Sequence, residues 1–142
     1  SHLTASGGAE RFDVLPLLVA TDGAIAVFGR DGRRLRANIV VGGVEGLAER
    51  TWEGLAMLVG PVLVHLDSLR RRCVMTTYDP DTLDKDVGVL RDIYHRFGGT
   101  LALNAAVLRP GNVRVNDPVR LLDATETIAL AREGGASEHP GR

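Results

Sequence analysis

The chain is predicted to fold as a mainly β domain, a mostly antiparallel, barrel-like sheet carrying a few short helices. Three observations lead there. Short apolar runs, β-branched or alternating, recur along the chain and are closed by turns containing Gly or Pro. One stretch, residues 86–97, holds a sustained helical period, with Val87, Leu90, Ile93, Tyr94 and Phe97 on one stripe. Helices do not alternate regularly with strands, as a doubly wound parallel sheet requires.

Taken in order, residues 1–11 are small and polar and are expected to be a flexible or cloning-derived terminus, outside a single domain at residues 12–123. Residues 14–20 are an apolar run, after which Thr21 and Asp22 offer a cap for a brief helical segment to Phe28. Gly29-Arg30-Asp31-Gly32 reads as a turn. Residues 36–41 read as a strand, β-branched at Ile39-Val40-Val41 and closed by Gly42-Gly43. Residues 55–59 and 62–66 are strands separated by Gly60-Pro61, a link of hairpin length outside the favoured primed-turn pairs. Asp84 or Asp86 caps the helix at residues 86–97, and Gly98-Gly99 ends it. Residues 100–108 alternate, with Leu101, Leu103, Ala105 and Val107 on one face and Asn104 on the other. Pro110-Gly111 turns the chain into strands at residues 113–115 and 118–122. Residues 124–142 are assigned to a short helix, at residues 125–132, and a flexible tail.

The 142 residues and 15.2 kDa suit one compact domain with a substantial core. A formal net charge of -1 gives no global attraction to nucleic acid or an anionic membrane, and neither is expected as a partner. No apolar run approaches the roughly 18 residues of a membrane span, and no signal peptide is evident. A single cysteine cannot form an internal disulfide, which fits a reducing, cytoplasmic setting. Among 17 basic residues Lys85 is the only lysine, and it lies in the acidic turn Asp84-Lys85-Asp86. Pyridoxal phosphate, which needs a Schiff-base lysine, is therefore not expected in this chain.

The chemistry concentrates in Arg70-Arg71-Arg72-Cys73-Val74-Met75-Thr76-Thr77-Tyr78-Asp79-Pro80-Asp81-Thr82. Guanidinium neighbours favour the thiolate, the form in which cysteine attacks or ligates a metal. Against this stands the plain reading of Cys73 as a small buried hydrophobe. His2, His65, His95 and His139 are scattered without zinc-ligand spacing, so a structural zinc site is not expected. His65, in the strand preceding the cysteine, is the best partner for a Cys–His nucleophile, although an ordinary half-exposed strand histidine is the better explanation of it. Asp79-Pro80-Asp81 is turn chemistry that can also present amides to an anion. Arg36 and Asn38, two apart in a strand, share a face suited to phosphate or heterocycle recognition, or to solvent. Gly42-Gly43-Val44-Glu45-Gly46 lacks the spacing of a dinucleotide fingerprint. If the loop is locally extended, Arg70 and Arg72 point together and Arg71 points away.

These residues, in this order, resemble the MOSC domain family, named for the C-terminal domain of molybdenum cofactor sulfurases. The likeness runs from about Phe12 to Leu122. It is carried by Leu35-Arg36-Ala37-Asn38-Ile39-Val40-Val41, Leu47-Ala48-Glu49-Arg50-Thr51-Trp52, the segment from Arg72 to Thr82, Asn104, and Arg109-Pro110-Gly111-Asn112-Val113-Arg114-Val115-Asn116-Asp117-Pro118-Val119. The resemblance implies a MOSC-type barrel and a molybdenum–pterin cofactor (molybdopterin), with Cys73 as molybdenum ligand or sulfur carrier. It implies Arg36 as phosphate anchor, Asn38, Arg72 and Thr76 as pocket contacts and Asn104 as a wall. An oxidoreductase acting on N-hydroxylated compounds follows as the expected activity. A non-catalytic binding module and a cysteine-dependent hydrolase or transferase are the alternatives.

Two departures are visible. Ala37 stands where the family usually has proline. A Tyr-Pro-Val-Lys-Ser-like segment, whose lysine and serine help hold the cofactor, does not precede Phe12. An open barrel edge is therefore expected, filled by a homodimer or by a partner supplying the absent strands.

Overall fold

The computed structural model describes residues 3–6, 10–12 and 16–137. In chain order the first half holds β1 (Leu3–Ser6), β2 (Glu10–Phe12), β3 (Leu17–Thr21), helix α1 (Asp22–Phe28), β4 (Ile39–Gly42) and β5 (Ala56–Val59). The second holds β6 (Val62–Arg71), α2 (Val87–Phe97), β7 (Thr100–Arg109), β8 (Gly111–Val113), β9 (Pro118–Leu122) and α3 (Ala124–Ser137). Single 3-10 turns lie at Gly32–Leu35, Ala48–Thr51 and Val74–Thr77.

Alternating apolar side chains turn the strands into a closed barrel of order β1-β4-β3-β7-β6-β5-β9, as the mainly β reading anticipates. β3 and β4, joined over α1, are parallel, whereas the other barrel pairs are antiparallel. Val19, Ile39, Val41, Met57, Val59, Val64, Leu66 and Leu103 fill the interior. A second apolar layer joins Ala24 and Phe28 of α1 and Val89, Ile93 and Phe97 of α2 to Ala20, Leu101 and Ala102. Each fully buried side chain of this size contributes about 1.5–3 kcal/mol.

The capping signals work as their chemistry requires. Thr21 Oγ1 accepts the Ala24 amide at 3.1 Å, and Asp86 Oδ1 accepts that of Gly88 at 2.9 Å. Gly98 closes α2 at φ 65°. The Gly60-Pro61 link is a tight β5–β6 turn, because Gly60 takes φ 53°, the positive value a first central turn residue needs.

Several expectations are corrected. β1 and most of β2 lie within residues 1–11, expected as a flexible or cloning-derived terminus. β1 pairs β4 through Thr4↔Gly42 and β9 through Leu3↔Val119, so the open edge expected to need a partner is closed from within the chain. On α2 the buried stripe is Val89, Ile93 and Phe97, while Val87 and Tyr94 are exposed, because the helix docks on β7 through the later set. β8 begins at Gly111, earlier than the strand expected at residues 113–115, and pairs with β2. α3 continues to Ser137, past the short helix expected at residues 125–132, and residues 138–142 of the expected tail lie outside the described residues.

Candidate functional site

β6 runs on from the expected residues 62–66 to Arg71 and delivers the arginine run to the end of the strand. Its partner β7 pairs Ser68↔Asn104, Leu69↔Leu103 and Arg71↔Thr100, with a register shift between the last two pairs. β7 carries the extra residue there, and within the shift Ala102 takes φ 71°, a left-handed conformation uncommon for alanine. Simple alternation along β6 would turn Arg71 away, yet Arg70, Arg71 and Arg72 all line one cavity.

That cavity, about 300 Å³, brings Arg36, Asn38, Arg70, Arg71, Arg72, Cys73 and Asn104 together over an apolar floor of Leu17, Leu18 and Leu35. Among the described residues no carboxylate lines it. Cys73 is exposed at its mouth, which removes the buried-hydrophobe reading. Arg36 and Asn38 arrive by a route other than the expected strand. β4 starts only at Ile39, and Arg36 ends the 3-10 turn in the left-handed region at φ 56°. Asn38 is partly committed to scaffold: its Oδ1 accepts the Leu18 amide and its own amide donates to the Leu18 carbonyl, both at 2.8 Å. Asn104 Oδ1 accepts from Arg70 Nη1 at 3.1 Å while its Nδ2 donates to Ser68 Oγ at 3.2 Å, so it orients an arginine as well as forming a wall. Thr76 lies beneath the cavity: fully buried, its Oγ1 and amide both donate to the Cys73 carbonyl, at 2.9 and 3.1 Å. It shapes the cysteine loop and is not a direct pocket contact.

Arg72 carries the unusual chemistry. It is 8 % exposed, yet among the described residues only its Nη2 has a partner, the Leu35 carbonyl at 2.5 Å. Nε and Nη1 are sealed from solvent without a hydrogen-bond partner among the described residues. Unmade hydrogen bonds to a buried cation are costly, about 1–3 kcal/mol or more. Burial first, and then the charge of Arg70, push the Arg72 guanidinium below the ordinary arginine range, while Cys73 and Glu49 act in the opposite sense. The site is short of negative charge.

Sequence reasoning passes over Glu49 as a site residue. It is fully buried, with Oε1 accepting from Thr21 Oγ1 at 2.9 Å and Oε2 from the Ala102 amide at 2.8 Å. It thereby pins both the start of α1 and the displaced register that aims Arg70–Cys73. Desolvation raises its pKa, and the bonds from Thr21 and Ala102 only partly offset that rise. The one available signal is a glutamate in the apolar-flanked segment ending at Trp52. A second missed group straps the cysteine loop from outside. Arg34 Nη1 donates to the Thr77 carbonyl at 3.0 Å, and Arg33 bridges Asp31 and Asp81. Asp79 Oδ1 accepts the amides of Asp81 and Thr82 at 2.8 and 3.0 Å, and these bonds hold its carboxyl below the usual range.

The alternative Cys–His pairing does not form. His65 Nδ1 meets Asp67 Oδ1 at 2.6 Å, and its cavity is a separate one with Leu122 and Thr127. Eight residues of largely extended chain, roughly 25 Å, separate it from Cys73. Among the described residues no three His, Cys, Asp or Glu side chains converge on a metal position. A metal at Cys73 must bring its other ligands with it, as a metal–pterin group does. The exposed soft thiol, the unpartnered Arg72 nitrogens and the absence of carboxylates among the described lining residues fit such an anionic group.

The family model for the MOSC domain matches residues 26–120. Human mitochondrial amidoxime reducing component 2 is 30% identical over 127 residues, covering 75% of this chain and 37% of that protein. Human mitochondrial amidoxime-reducing component 1 is 28% identical over 138 residues, covering 78% and 38%. This chain thus spans little more than a third of the length of the curated relatives it matches. The crystal structure of YiiM from Geobacillus stearothermophilus superposes with a TM-score of 0.58 at 16% identity, covering 98% of this chain and 70% of that one. YiiM from Escherichia coli gives 0.55 at 13%, covering 87% and 70%, and both likenesses speak to the fold alone. Among the described residues no helix is long and apolar enough to cross a membrane.

Proposed function

The chain belongs to the MOSC domain family, and on that premise we propose that it is a molybdenum-cofactor domain in which Cys73 supplies the protein's thiolate ligand. The observation that carries this reading is Arg72, a buried guanidinium with two unpartnered nitrogens beside an exposed thiol. Arg36 and Arg72 would hold the anionic end of the pterin, and Asn38 would offer its remaining amide hydrogens to the ring system. Leu17, Leu18 and Leu35 exclude water from one side of the group. When bound, such a cofactor supplies a two-electron couple. The activity named in the relatives extends here to reduction of N-hydroxylated compounds, in which an N–OH bond gives N–H and water with two electrons and two protons. An external donor would provide the electrons.

Expression alongside molybdenum-cofactor synthesis, followed by elemental analysis, tests the reading. Near-stoichiometric molybdenum in the wild type, and loss of most of it in Cys73→Ala, is the expected result. A wild-type chain that folds and takes up no molybdenum would overturn it and favour a non-catalytic binding module.

A further inference from the structure

The cofactor reading employs Arg36 and Arg72, and leaves two arginines of the same cavity without a task. Arg70 is exposed but oriented, because Asn104 Oδ1 fixes one of its terminal nitrogens at 3.1 Å and Ser68 fixes the Asn104 amide in turn. Arg71 is exposed on the next residue, with neither an ion pair nor a side-chain hydrogen bond among the described residues. Elsewhere several surface arginines are answered by carboxylates, Arg30 by Asp86 and Asp92, Arg33 by Asp31 and Asp81, Arg120 by Glu126, and those without an ion pair among the described residues, such as Arg91 and Arg114, do not line this cavity. Around Cys73 four arginines line one concave surface and no described carboxylate does. Like charges crowded in this way repel. An arrangement of this kind is relieved by bound negative charge.

Resting on the cofactor reading, we infer that Arg70 and Arg71 form a second anion-recognition element beside the cofactor anchors. The substrate that approaches Cys73 accordingly carries a carboxylate or phosphate group. The concave site and the fixed orientation of Arg70 through half-buried Asn104 suit a small molecule rather than a protein surface. Arginine forks bind either group bidentately, and a flexible lysine in the same place would not be pre-oriented. Arg70 and Arg71 are thus specificity-determining residues, with Asn104 and Ser68 as positioning residues for Arg70.

The test uses the thiol as its own reporter and needs no cofactor. Iodoacetate and iodoacetamide alkylate the same thiolate, an S–C bond forming as iodide leaves, and differ chiefly in charge. The ratio of their rates therefore cancels the thiolate fraction and reads the local field. In the wild type this ratio should exceed that of free glutathione. In the Arg70→Gln/Arg71→Gln double variant it should fall about five-fold, and in the wild type it should fall with added salt, as expected for two unit charges within about 7 Å of the reaction. Arg91→Gln, which removes an exposed charge on α2, should leave it unchanged. A wild-type ratio equal to that of glutathione, or one unmoved in the double variant, would sink the inference.

Molybdenum content keeps this result separate from the cofactor reading. The double variant should retain its metal, whereas a loss equal to that of Cys73→Ala would assign both arginines to the cofactor and overturn the substrate role. If the wild type takes up no molybdenum yet shows the charge-selective ratio, the cofactor reading fails and the anion site stands. Tighter capture of an acidic protein with no effect on the reagent ratio would transfer the surface to a macromolecular partner and overturn the small-molecule assignment.

Discussion

Two cavities in this barrel invite comparison. The larger, about 600 Å³, is lined by Leu3, Val44, Trp52, Val119 and Leu121, with Glu45 and Arg120 at its polar margin. Arg120 there is already paired with Glu126. The smaller, about 300 Å³, holds four arginines, an exposed thiol and, among the described residues, no carboxylate. Volume alone would choose the first. Unanswered charge and unmade hydrogen bonds choose the second, because folding selects against such costs unless a ligand offsets them.

The 3-10 turn Ala48–Thr51 contributes to both regions. Ala48 lines the larger cavity, while Glu49 turns inward to Thr21 and Ala102 behind the smaller one. Glu49→Ala should therefore have the largest effect on the molecule. It strands a buried hydroxyl and a buried amide and leaves a void, so a loss of about 3 kcal/mol or more is expected in chemical denaturation. Glu49→Gln should cost less and should expose the pH dependence. Burial raises the folded-state pKa of Glu49, so its ionisation opposes folding. Its contribution is fully present below the ordinary glutamate value of about 4.3 and is lost as pH rises through the raised folded value. The stability of the wild type relative to Glu49→Gln should decline across that window. A pH-independent difference would mean that the carboxylate is solvated after all.

The contrast is tested more sharply by Arg72→Met. If Arg72 were structural, its removal would destabilise the chain by several kcal/mol. If it is a cofactor anchor, its unpartnered nitrogens burden the cofactor-free domain and are offset only by the Leu35 bond. Replacing an unsatisfied buried charge with an apolar side chain of similar length is often neutral or stabilising. Thermal unfolding of the cofactor-free variant should move stability by less than about 1 kcal/mol in either direction, while molybdenum retention falls as it does for Cys73→Ala. Retained metal in a well-folded variant would remove Arg72 from the site.

The barrel was legible because burial imposes period-two alternation on strands, and caps such as Thr21 and Asp86 have local chemistry. The site was legible only in part. Cys73, Arg36, Asn38, Arg72 and Asn104 could be named from their order, and they do converge. Alternation along β6 does not give Arg71 to the cavity, and the register shift at Ala102 beside it is held by a buried Glu49 from 53 residues away in sequence. No local pattern encodes that contact. The short strand β1 escapes notice for a related reason: Leu3-Thr4-Ala5-Ser6 has weak patterning, and its pairing with β4 and β9 supplies the order. Thr76 is misread from the sequence because its neighbours describe a turn without saying which hydroxyl faces the pocket, and its own is buried against the Cys73 carbonyl.

The smallest expected effect belongs to His65, nearer the start of β6 than its arginine end. It sits on the same strand as the arginine run, so sequence distance alone keeps it as a partner for Cys73. The strand's length makes the pairing impossible, since the histidine bonds Asp67 at 2.6 Å and opens on another cavity. Both side chains are substantially exposed, at 40% and 51%, so solvent screening leaves their interaction little weight in stability. His65→Ala should change stability by no more than about 0.5 kcal/mol. The pH profile of Cys73 alkylation should superpose on that of the wild type. A shifted profile would mean that a proton on His65 is felt across the barrel, and the division between an answered and an unanswered end of β6 would fail.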